Sequence, residues 1–191
     1  MQTKINMKRK NIIFWIICLV IADQGVKLII VNFFIDTKFD IIHSIIGFRP
    51  VFNNQYTYFN ALLKLNIGLL PHTVLLIFLQ LAILLFYKFA RIVQHSTKLL
   101  DISFIFGQAA LICVFCGFFL WKLGCLDFLY VHFWTVDFKD IYLNCFVILF
   151  LFNYHKSKAE LKSSKIKIKD CLLNDWVEFK QIFKRNKLKN D

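Results

Sequence analysis

The chain has 191 residues, of which 58% are hydrophobic and 19% charged, with 23 Phe and only 2 Pro. One soluble core cannot hide that much apolar side chain, so hydrocarbon is the expected solvent. The formal net charge of +12 does not point to nucleic acid. Its basic residues sit in short clusters between apolar runs, and no basic face interleaves with stackable aromatics.

In chain order, the first apolar run, Ile12 to Ala22, follows Lys4, Lys8, Arg9 and Lys10. That order imitates a signal peptide, but no small-x-small cleavage site follows and apolar sequence resumes from Leu28 to Ile35. Residues Asn11 to Phe34 therefore read as an uncleaved first span. The segment around Phe48-Arg-Pro-Val-Phe-Asn53-Asn54 is aromatic and β-branched, bounded by Pro and Asn, and reads as short extended pieces at the membrane surface. Uncharged stretches from Leu65 to Tyr87 and from Ile102 to Trp121 each reach the roughly 20 residues that a crossing needs. A fourth stretch, Ile141 to Tyr154, is shorter. It crosses only if Val136 to Asp140 supplies its first turn, which puts Asp137 and Asp140 at the membrane edge.

The expected fold is thus an all-α integral membrane bundle of four transmembrane helices, with short β pieces in the first external loop. Lys and Arg flank the first span on its N-terminal side, fill the second-to-third connection (Lys88, Arg91, Lys98) and crowd the tail after His155. By the positive-inside rule these regions face the cytoplasm, with both termini. Residues 1–155 read as the membrane domain and 156–191 as a basic cytoplasmic tail. In that tail Leu172, Trp176, Phe179 and Phe183 recur at helical spacing among Lys and Glu. This pattern fits an amphipathic helix on an anionic leaflet, or a packed or partly disordered end. Cys18, Cys113, Cys116 and Cys145 lie inside apolar runs, where Cys behaves as a small hydrophobe. Cys113-Val-Phe-Cys116 has no second pair and no nearby His, so neither metal nor cofactor is expected.

Ionisable residues at membrane depth are costly and therefore informative. Asp23 and Lys27, four apart, share a helix face and can neutralise each other, a structural role rather than a catalytic one. Asp137 and Asp140, three apart, share a face at the start of the fourth span, where carboxylates also cap helices. Asp127 is a third acid on the same external side. Three acids converging there fit either proton chemistry or a structural network.

Taken together, these residues resemble the lipoprotein signal peptidase (signal peptidase II) family of four-helix aspartyl proteases. Asp23-Gln24 with Lys27 is similar to its D-Q-x-x-K, Asn54 with Phe59 to its N-x-G-A-A-F, and Leu126-Asp127-Phe128 to its V-V-D-F. Asp137-Phe138-Lys139-Asp140 falls where the family has N-V-A-D. The motifs occur in family order over residues 8–154. The resemblance implies cleavage of signal peptides from diacylglyceryl-prolipoproteins, without a cofactor, by a monomer in the bacterial inner membrane. It implies Asp140 as one catalytic aspartate and Asn54 and Lys122 as substrate contacts. The stretch Gly117 to Lys122 carries no carboxylate where the family has G-N-x-x-D-R, so either Asp127 or Asp137 has to serve as the second acid. A non-catalytic relative that binds lipid-modified peptides is the alternative, and a small membrane scaffold or transporter subunit a third.

The orientation is checked by reporter fusions. Fusions after Lys98 and in the tail should read cytoplasmic, and one near Asn54 external. An external reading at Arg91 would overturn the orientation.

Overall fold

The computed structural model describes residues 7–56, 60, 62–93, 98–121 and 123–163. The expected tail helix around Leu172, Trp176, Phe179 and Phe183 lies outside these residues, and so does Lys122. Four long helices dominate. α1 is Arg9–Ile29 and continues through one π-helical turn, Ile30–Phe34. α2 is Leu69–Val93, α3 is Lys98–Phe119 and α4 is Phe138–Ser163. Pro71 sits in the first turn of α2, where a missing N–H removes no intrahelical bond.

The burial pattern is that of a chain dissolved in lipid. Phe33 is 76% exposed and Leu70 75%, while Asp23, Lys27, Asp101 and Asp137 are all fully buried. Apolar side chains on the outside of every helix, with charges inside, make sense only where the surroundings are hydrocarbon. α1, α2 and α3 are long and apolar enough to cross a membrane. α4 is longer, at 26 residues, but its apolar stretch is bounded by Asp140 and His155. Its Val147, Ile148, Leu151 and Phe152 still face outward.

α3 is the central helix and packs against the other three. Gly107 brings α4 close: a Cβ there would stand 2.9 Å from the Phe146 ring. Small residues at such contacts are how helices approach in a membrane, where no hydrophobic force pushes them together. At one end of the bundle Asp101 of α3 accepts from the backbone N–H of Met7 at 2.9 Å and from the Tyr87 hydroxyl at 2.7 Å. One buried carboxylate so ties α1, α2 and α3 together.

At the opposite end lies a four-stranded antiparallel sheet in the order β1-β2-β3-β4, formed by Phe39–Ile42, Ile46–Asn53, Cys125–Val131 and Trp134–Val136. The extended structure expected in the first loop is present, but half of the sheet comes from the segment between α3 and α4, which alternation alone did not mark as strand. β2 and β3 join the two segments, pairing Asn53 with Cys125 and Val51 with Asp127. The register slips between Phe48 and Val51, where Pro50 has no N–H to give the ladder. Leu126 and Phe128 pack with Ile30, Val26, Phe48 and Phe138, seating the sheet on the end of α1.

Gly124 links α3 to β3 with φ +100°, and a Cβ there would collide with the Asn53 carbonyl. Gly124→Ala should therefore lower stability by about 1–3 kcal/mol, read as a lower unfolding temperature in detergent. An unchanged temperature would show that the β2–β3 seam carries no stability.

Candidate functional site

Where the sheet meets the helices, three parts of the chain deliver charge to one place. α1 contributes Asp23 and Lys27, one turn apart and on the same face. β3 contributes Cys125 and Asp127, which the two-residue period of a strand sends to the side opposite Leu126 and Phe128. The start of α4 contributes Asp137, Lys139 and Asp140. Asp137 and Asp140 form a reciprocal cap: the Asp140 N–H donates to Asp137 Oδ1 at 3.3 Å and the Asp137 N–H to Asp140 Oδ2 at 3.1 Å.

Ammonium groups hold these carboxylates together. Lys27 Nζ lies 2.9 Å from Asp23 Oδ2 and 2.5 Å from Asp137 Oδ2. Lys139 Nζ lies 2.9 Å from Asp137 Oδ1, 2.8 Å from Asp127 Oδ1 and 3.4 Å from Asp140 Oδ2. Asp137 thus gives one oxygen to each lysine. Asn53 Nδ2 donates to the remaining oxygen of Asp127 at 3.3 Å. At the α1 edge, Gln24 Nε2 donates to Asp23 at 2.7 Å and accepts, through Oε1, from the Trp121 indole at 3.0 Å. The network is closed at α1 and opens along its length: the side chain of Lys139 is 12% exposed and that of Asp140 36%.

The two loop acids differ in character. Burial pushes the carboxyl of Asp127 up, and the Lys139 ammonium offsets this only in part. Asp137 is buried too, but Lys139 and Lys27 together outweigh that penalty and hold it below the usual carboxylate range. Burial raises the Cys125 thiol to about 11, against the pull of Lys139 and Lys27. It therefore stays a thiol, 3.7 Å from Lys27 Nζ and 3.6 Å from Asp137 Oδ2. Cys125, Asp127 and Asp137 offer donor atoms within 4.8 Å of one another, a spacing a metal could use. However, the Lys139 ammonium already stands on both carboxylates, where a cation would go.

Of the residues expected from the sequence, Asp23, Lys27, Asp127, Asp137 and Asp140 come together. Asn54 does not reach them; it is exposed in the turn after β2, and its neighbour Asn53 makes the contact. The expected Asp23–Lys27 pair is a triad, because Asp137 is a second partner for Lys27. Cys125 and Lys139 were not singled out. For Lys139 a signal existed: a lysine between two acids at a membrane edge has its counter-ions supplied locally.

A comparison with protein-family models returns no match, and neither does a comparison with curated proteins. Solved structures do match. A bacterial membrane enzyme solved by the in meso method at 2.3 Å superposes with a TM-score of 0.60 at 18% identity, over 87% of this chain and all of that one. Another, at 1.9 Å, superposes with a TM-score of 0.58 at 19% identity, over 79% of this chain and 96% of that one. The chain therefore has the fold of these membrane enzymes over 79–87% of its length.

The network makes a ranked prediction. Asp137→Asn strips one partner from each of two buried ammoniums and should cost about 3–5 kcal/mol. Asp23→Asn should cost less, since Lys27 keeps Asp137. Unfolding of the two variants in detergent checks the order, and the reverse order would remove Asp137 from the centre of the network.

Proposed function

We propose that the protein is a membrane-embedded aspartyl peptidase of the signal peptidase II type, which removes signal peptides from lipid-modified prolipoproteins. Asp127 and Asp140 carry the reaction. The observation behind this reading is that two carboxylates from different elements, β3 and the start of α4, meet one ammonium at the open end of the network. The likeness of fold to bacterial membrane enzymes supports it. So does the order of the D-Q-x-x-K-like, L-D-F and D-F-K-D segments along the chain.

Asp137 is the poorer second acid. It is fully buried, both its oxygens face ammoniums, and it caps α4. Asp127 has one oxygen on Lys139 and one on Asn53, and its burial favours the protonated form. Burial raises the Asp140 carboxyl as well, to about 6. In this reading the two acids therefore share the roles: the ionised one accepts a proton from the attacking water, and the protonated one delivers a proton to the departing amine. Two carboxyls at close quarters divide these roles because they do not readily ionise together. Asn53 orients Asp127, while Asn54 and Lys122 contact the substrate. The acyl chains of the substrate stay in the bilayer beside the apolar helix faces. The site then faces outward from a bacterial inner membrane, both termini lie in the cytoplasm, and the working unit is a monomer.

Lys139 favours a second reading. An ammonium bound to both acids leaves no proton between them, as expected of a non-catalytic relative that only binds lipid-modified peptides. Cleavage of a lipid-modified prolipoprotein peptide in vesicles separates the two. The peptidase should cut it, and Asp140→Asn and Asp127→Asn should each abolish cutting. Their double variant should be no worse than either, because members of a dyad act as a unit. Folded protein that binds the peptide and leaves it intact would eliminate the peptidase in favour of the binding relative.

A further inference from the structure

We propose that Lys139 is a counter-ion latch: its ammonium takes the place of the proton an aspartyl dyad shares, and the site becomes competent when that ammonium leaves Asp140. The inference rests on the peptidase reading of Asp127 and Asp140. The contacts of Lys139 are graded. It is 2.8 Å from Asp127 and 2.9 Å from Asp137, both buried, but 3.4 Å from Asp140, whose carboxylate is the one open to the surroundings. The weakest tie therefore faces the side from which a peptide arrives. A peptide backbone pressed against Asp140 competes for that tie alone; Asp127 and Asp137 keep hold of the amine, and a proton taken up from water replaces the ammonium on Asp140.

Among the described residues no other cation is placed to take over this duty. From α1, Lys27 is committed to Asp23 and Asp137. β3 offers only Cys125 and Asp127, and the thiol of Cys113 on α3 lies toward Asp23. The cap of α4 adds Asp137. Four aspartates face two lysines, so removing Lys139 leaves an excess of negative charge that a proton can relieve. A shared proton is what such a pair of carboxyls adopts when no cation intervenes.

The test compares Lys139→Gln, which keeps hydrogen-bond donors without the charge, with Lys139→Arg, which keeps the charge. An opposite charge this close lowers a carboxyl by about 1–3 pH units. In Lys139→Gln the acid limb of the cleavage profile should therefore move up by that amount, with faster cleavage of the prolipoprotein peptide at neutral pH. Lys139→Arg should keep the wild-type profile. A readout independent of cleavage is the infrared signal of a protonated carboxyl. It should be absent from the wild type at neutral pH, present in Lys139→Gln, and lost again when Asp127→Asn or Asp140→Asn is added. If that signal appears while no variant cleaves, the latch stands and the peptidase reading fails. Equal profiles for wild type and Lys139→Gln, or no signal in the folded variant, overturn the latch. Should Lys139→Gln not fold, the wild type decides alone: a protonated carboxyl at neutral pH, assigned by Asp127→Asn or Asp140→Asn, overturns it.

Discussion

The architecture turns on the carboxylate of Asp137, held between two ammoniums, Lys27 of α1 and Lys139 of α4. Buried ions this far from water are tolerable only when each is fully paired. Asp137 achieves that while capping the helix that follows it. Removing it would take away the one carboxylate that the lysines of the first and last helices share. Hydrophobic contacts cannot replace it, because in lipid the apolar faces of these helices have no preference for each other.

The remaining polar groups complete the same arrangement. Tyr142, one turn into α4, donates its hydroxyl to the Leu19 carbonyl of α1 at 3.2 Å, so the helices that carry the two lysines are also joined below the charges. Phe138 packs against Phe128 and Tyr142, fixing the start of α4 against β3. At the far end Asp101 does for α1, α2 and α3 what Asp137 does here. Each end of the bundle is thus closed by a buried aspartate, with a mostly apolar middle between them.

Much of this was legible in the sequence, for reasons that differ by element. The spans stood out because hydrocarbon selects composition directly, and α1, α2 and α3 begin within four residues of the apolar runs that announced them. Asp23 and Lys27 declared each other by helical spacing. β3 and β4 did not show, since Cys125 to Phe128 is buried on both faces and lacks the alternation of a half-exposed strand, and β4 is only three residues long. That gap hid the site as well. Without the register that sets Val51 against Asp127, nothing brings Asn53 to Asp127, and the family likeness pointed one residue further along, to Asn54. Lys139 went unremarked because a charge between two opposite charges looks ordinary until distances show that it serves both.

The spacing of Asp23 and Lys27 also bears on how such a chain is made. Lys27 is synthesised well over a hundred residues before α4 is complete, and it enters the bilayer with the first helix. Its eventual partner Asp137 does not yet exist. A lone ammonium at that depth would oppose insertion. Asp23, one turn back on the same face, travels with it and neutralises it from the outset. The first helix can therefore wait in the membrane, electrically complete, until the fourth arrives.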